Sequence, residues 1–169
     1  HSAEDVKKML DDNGLTVSGT HTGWQELTAE NIDATIAYHK TIGNTNYIVP
    51  GAPWDTKEGL DSTIAKLNKY QPMLAAEGIT LAYHNHHMEF QVYNGRFGLD
   101  LIYENADPAN LKLELDCFWA QVAGVDVVEY IRKYGDRTKL LHIKDRKHNP
   151  AGYPIERGPN HTEPDHFRI

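Results

Sequence analysis

Three histidines fall within four residues, at His84, His86 and His87, and Glu89 follows two places on. Imidazole is the commonest metal ligand and the side chain that most readily moves protons near neutral pH. The cluster closes the β-rich run ITLAYHNH, residues 79–86. Strand alternation places His84 and His86 on one side and gives Glu89 the opposite parity. A bulge or a turn of the chain is needed to bring Glu89 to the histidines. Two further strand-like runs end in ionisable groups. LKLELD (111–116) sets Leu111, Leu113 and Leu115 on one face and Lys112, Glu114 and Asp116 on the other. KLLHIK (139–144) sets His142 and Lys144 opposite Leu141 and Ile143. Asp116 has two readings, metal ligand or helix N-cap, a site that Asp commonly fills. A lone His142 is more often structural. Three successive strand ends carrying His/Glu, Asp and His/Lys/Asp are what suggest a mixed nitrogen and oxygen site for Mn²⁺, Co²⁺, Zn²⁺ or Fe²⁺, with Mg²⁺ less suited.

The elements that must position these groups alternate in kind. Residues 2–13 read as a helix capped by Ser2 and stopped at Gly14, and residues 15–20 read as a strand. A helix from Thr28 to Ile42, with Ile32, Ile36 and His39 on one face, leads to a strand at 46–49. Residues 56–77 give the longest helical stretch, which Pro72 should kink or divide. After the strand at 79–86 come a short helix near 99–105, the strand at 111–116, a helix at 125–134 and the strand at 139–144. Strict alternation with short loops implies parallel strands with helical crossovers, in an open sheet or a β/α barrel. No glycine-rich phosphate-binding pattern follows a strand, which removes support for nucleotide-binding open sheets. In such folds the chemistry sits at the carboxyl ends of the strands. The remaining stretch, 148–169, has four prolines and no periodicity and reads as an irregular or disordered tail.

A net charge of −7 without a basic stripe argues against nucleic acid as a partner. No apolar run approaches the roughly 18 residues that span a bilayer. The single cysteine, Cys117, excludes an intrachain disulfide framework and fits a cytoplasmic location. A processed or truncated N-terminus leaves secretion open. Trp24, Trp54 and Trp119 near strand ends read as rim packing or as a platform for a sugar ring.

Taken in order, LAYHNHHMEF, LELDCFW with VAGVDVVEYIRKYGDR, and KLLHIKDR resemble the xylose-isomerase-like sugar isomerase/epimerase family over about residues 1–147. The resemblance implies a (β/α)8 TIM barrel, present here in part, with about five of its eight strands over 1–147. It implies a divalent metal (Mn, Co, Zn or Mg) held by Glu89, Asp116 and His142. Glu89 is alternatively a substrate contact, with His84 replacing a strand-borne ligand. Glu89, His86 and Lys144 are the implied catalytic groups, Lys144 as a contact to substrate oxygens together with Asp145. His84, Trp119, Asp145 and His21 are the implied contacts to a sugar or polyol. The implied reaction is proton abstraction next to a carbonyl through a metal-stabilised enediolate, as isomerase, epimerase or dehydratase. Family members carry two strands before this region and an eighth strand with a second Glu ligand, so an incomplete site is expected. Two rivals remain: an inactive or sugar-binding barrel fragment whose strand edges pair into a homo-oligomer, and a zinc-dependent phosphodiesterase of the endonuclease branch.

Overall fold

The computed structural model describes residues 1–144 apart from Asn94 and Asn110. The expected Asp145 contact and the tail at 148–169 lie outside the described residues. The chain runs α1 (Ala3–Asp12), β1 (Thr20–His21), α2 (Ile32–Thr41), β2 (Asn46–Val49), α3 (Lys57–Ala76), β3 (Thr80–His84), β4 (Val92–Tyr93), β5 (Arg96–Phe97), α4 (Gly98–Asn105), β6 (Leu111–Asp116), α5 (Cys117–Val122), α6 (Val127–Tyr134) and β7 (Thr138–His142). Five strands form one parallel sheet in the order β1-β2-β3-β6-β7, while β4 and β5 make a separate antiparallel hairpin. This is the β/α alternation of a barrel, seen over five consecutive barrel strands.

Most elements follow their local signals. The Ser2 hydroxyl accepts from the Asp5 N–H at 3.1 Å and starts α1. Gly43 and Gly78 close α2 and α3 at φ +74, where a side chain would be strained. Four expectations differ. The β-rich run 15–20 is strand only from Thr20, because β2 begins at Asn46 and earlier residues have no ladder to join. There the Asn46 side-chain amide donates to the Ser18 carbonyl at 2.7 Å instead. Thr28 opens a turn, its hydroxyl accepting from the Asn31 N–H at 3.1 Å, and the helix proper starts at Ile32. Helix α3 runs through Pro72 undivided, held to the core on both sides by Leu67, Tyr70 and Leu74. Helix α5 and the β4–β5 hairpin had no counterpart in the sequence reading.

The sheet has two unlike faces. Tyr47, Val49, Leu81, Tyr83, Leu111, Leu113 and Leu115 are buried together with Leu60, Leu67 and Leu74 of α3, Leu99 and Ile102 of α4 and Tyr130 of α6. Each leucine buried this way contributes roughly 1.5–3 kcal/mol, so this face holds the fold together. The opposite face carries His84 on β3 and Glu114 and Asp116 on β6. Asp116 is fully buried there. Burying such groups costs stability, so their presence needs another explanation. Adjacent strands align His84 with Glu114, and Asp116 with His142. The second alignment follows a one-residue irregularity: Leu113 pairs with Thr138, but Glu114 pairs with Leu140.

Strand β1 is anchored from below by a buried polar cluster. The Asn44 side-chain amide donates to Thr20 Oγ1 and to His39 Nδ1, both at 2.9 Å, and His39 Nε2 lies 3.4 Å from Thr22 Oγ1. Accepting at Nδ1 makes His39 a neutral imidazole, and burial likewise holds its pKa below the ordinary value. Among the described residues no helix is long and apolar enough to cross a membrane.

Candidate functional site

The carboxyl ends of β1, β3, β6 and β7 bring His21, His84, Glu114, Asp116 and His142 together, and Lys144 joins just past β7. His84 is buried, and its two ring nitrogens face different carboxylates. Nδ1 lies 3.0 Å from Glu114 Oε2, and Nε2 lies 3.6 Å from Asp116 Oδ2. His21 Nε2 reaches the same Glu114 oxygen at 2.6 Å. Asp116 Oδ2 also has His142 Nδ1 at 3.0 Å and Lys144 Nζ at 2.8 Å. One imidazole nitrogen each from His21, His84 and His142 lies within 4.8 Å of the other two.

Asp116 divides its work between its oxygens. Oδ1 accepts from the Trp119 N–H at 2.8 Å and caps α5. Oδ2 has three nitrogens within ion-pair distance but forms no hydrogen bond, and His142 Nδ1, one of those three, forms none either. A buried carboxylate oxygen and imidazoles grouped around a common centre fit a divalent cation.

Glu114 had no assigned role in the sequence reading. Burial would raise its pKa, but the hydrogen bonds from His84 and His21 prevail and hold it below the usual carboxylate value. Its parity with Asp116 was visible in LELD; the register that sets it beside His84 was not. Asn85, the centre of His84-Asn85-His86, was also missed. Its buried amide donates to the Asp116 carbonyl at 3.2 Å, and its Oδ1 accepts from the Asp116 N–H at 2.9 Å. A side chain thus completes the β3–β6 ladder and fixes the Asp116 backbone.

Glu89 sits apart from this cluster. Its Oε1 accepts from the Tyr83 hydroxyl at 2.9 Å and its Oε2 from the His86 N–H at 2.8 Å. Tyr83 belongs to the helix-facing side of β3, so the opposite parity seen in the sequence persists. Burial raises the Glu89 pKa against these hydrogen bonds. Each oxygen thus already accepts one hydrogen bond, on the helix-facing side of the sheet. His86 is brought to the cluster, its ring centroid 5.0 Å from that of His84. Burial first, then the neighbouring His84 and Lys144, push its pKa down to about 4. Trp119 forms a wall here, with the His87 and His86 rings at 5.2 and 5.8 Å and Lys144 Nζ 4.7 Å from its centroid.

The parallel β/α arrangement agrees with what known proteins show. The family described as "Xylose isomerase-like TIM barrel" matches over residues 1–168. The chain belongs to that family. Within it, a sugar phosphate isomerase/epimerase of known structure from Parabacteroides distasonis ATCC 8503 is 31% identical, with a TM-score of 0.73 over 86% of this chain and 58% of that one. A second from the same organism is 30% identical, with a TM-score of 0.71 over 84% of this chain and 62% of that one. The chain therefore spans about three fifths of the length of these two relatives. The 3-keto-D-glucoside 4-epimerase from E. coli shares the fold, at 16% identity and a TM-score of 0.61 over 85% of this chain and 67% of that one. Comparison with curated proteins finds no match.

Proposed function

We propose that this barrel segment carries the metal and substrate centre of a sugar isomerase/epimerase that removes a proton next to a carbonyl. The observation that carries this reading is the buried Asp116 Oδ2, with His84, His142 and Lys144 around it at 2.8–3.6 Å. The sugar phosphate isomerase/epimerases among its relatives support the choice of substrate class.

In this reading Asp116 and His142 hold a divalent cation, with His84 beside them. When bound, the cation polarises a substrate carbonyl and acidifies the adjacent C–H. Lys144 donates to the substrate oxygen on which negative charge develops, a stabilisation strongest where water is excluded. His86 is unprotonated at neutral pH because burial holds its pKa near 4, so its ring accepts a hydrogen bond from the substrate, and its low basicity limits it to a proton that the cation has acidified. Trp119 offers a flat apolar face against which a sugar ring packs. Glu89 fixes the 84–90 turn through the His86 N–H, and its raised pKa suits proton transfer once Tyr83 releases it.

The experiment is deuterium exchange in D₂O with a panel of ketoses and their phosphates, followed by proton NMR, with Mn²⁺, Co²⁺, Zn²⁺ or Mg²⁺ added. Metal-dependent loss of the signal from the carbon next to the carbonyl is the expected result. Absence of exchange across the panel, with metal demonstrably bound, would sink the proposal.

A further inference from the structure

The ion-binding centre is richer in nitrogen than in carboxylate. The three grouped imidazoles come from three different strands, β1, β3 and β7, and strand-borne ligands are held more rigidly than loop-borne ones. Asp116 adjoins two of them, through His84 Nε2 and His142 Nδ1. Glu114 Oε2 binds one nitrogen of His84 and one of His21, in the manner of a carboxylate that orients metal-bound imidazoles from outside. Ion pairing among these groups alone leaves unexplained why the buried Asp116 Oδ2 and His142 Nδ1 lack hydrogen bonds.

We infer that His21, His84 and His142 bind the ion together with Asp116 as its carboxylate ligand, that Glu114 orients His84 and His21, and that the site selects Zn²⁺ or Co²⁺ over Mg²⁺ and Mn²⁺. This rests on the preceding reading only in that an ion binds here. The physical ground is ligand softness: imidazole suits Zn²⁺ and Co²⁺, whereas Mg²⁺ and Mn²⁺ favour carboxylate and water oxygen. His21 is the decisive residue, because its side chain is 39% exposed and removing it leaves the core untouched.

The test uses the full 169-residue chain, stripped of metal with a chelator. Long-range ¹H–¹⁵N spectra of the histidine rings are recorded before and after one equivalent of Zn²⁺. The ring nitrogens of His21, His84 and His142 are expected to shift, and those of buried His39 to stay. An excess of Mg²⁺ of about a hundredfold is expected neither to reproduce the shifts nor to displace Zn²⁺. Calorimetry is expected to give His21→Ala and Glu114→Gln Zn²⁺ affinities roughly 10–100-fold weaker, with the folded circular dichroism spectrum retained. An unmoved His21 ring, displacement of Zn²⁺ by that Mg²⁺ excess, or unchanged affinity in His21→Ala overturns the inference. Proton exchange that runs with Mg²⁺ alone while His21 stays unmoved overturns the inference and leaves the proposed function standing. Zn²⁺ on all three imidazoles without exchange on any sugar does the reverse.

Discussion

Asp116 and Trp119 are joined by a 2.8 Å hydrogen bond from the Trp119 N–H to Asp116 Oδ1, so the residue that faces the polar centre also starts the helix behind it. The sequence left Asp116 between ligand and N-cap; Oδ1 is the N-cap, and Oδ2 is left facing His142 and Lys144. Its two functions separate by substitution. Asp116→Asn keeps a capping oxygen and removes the charge, so metal affinity should fall at least tenfold while the folding midpoint changes little. Asp116→Ala removes the cap as well, and is expected to cost a further 0.5–2 kcal/mol or so in urea unfolding. Equal stability of the two variants would show that the cap contributes nothing.

Lys144 and Glu89 are expected to differ in what their removal changes. Lys144→Met should depress proton exchange by about 10²–10³-fold, with metal binding retained, because it takes away a charge aimed at the developing oxyanion. Glu89→Gln should lower stability by about 1–3 kcal/mol, since its buried oxygens accept from Tyr83 and from the His86 N–H. Exchange rates in Lys144→Met matching the parent chain would remove Lys144 from the mechanism.

His39 gives the fold an acid-sensitive anchor. Its pKa is lowered in the folded state, so below about 6.5 the unfolded chain takes up a proton that the folded chain resists. The folded state therefore loses stability as pH falls through that value and is unaffected above it. Urea midpoints at pH 7.5 and 5.5 should show a decline, and the decline should be smaller in His39→Gln.

Asp100 behaves in the opposite sense and in a lower window. Its carboxylate accepts from the Tyr130 and Tyr134 hydroxyls, both at 2.7 Å, and pairs with Lys133 at 2.7 Å. Burial opposes ionisation, but these three partners hold its pKa below the ordinary carboxylate value. Its contribution is in place above about pH 4 and is lost as pH falls through the lowered folded value. Asp100→Asn is expected to cost about 2–3 kcal/mol at pH 7 and to flatten the acid limb of the stability curve.

Much of this fold was legible because period and punctuation coincide. Leu111, Leu113 and Leu115 alternate with Lys112, Glu114 and Asp116, and the buried and polar faces of β6 follow that alternation. Pairing between strands was not legible, because register depends on neighbours far along the chain. Hence His84 and Asp116 were singled out while Glu114 was passed over, although it lies against the His84 ring in space. Asn85 was hidden for a similar reason, since a side chain that imitates backbone pairing leaves no periodic trace. The β4–β5 hairpin comprises two strands of two residues each, too short for any alternation to show.

The slip between Leu113 and Glu114 carries a consequence for how this centre tolerates change. Strand β7 holds one residue more than its neighbour between the two pairing blocks. Were that residue drawn into the ladder, Asp116 would stand beside Leu141, and the His142 ring would turn to the other face of the sheet. Such a register shift would trade an imidazole for an isobutyl group at the centre and leave the hydrophobic layer on the far side of β6 intact, whereas loss of the Lys139 codon would close the ladder with His142 still beside Asp116. In this chain the chemistry depends on an irregularity that the architecture itself does not need.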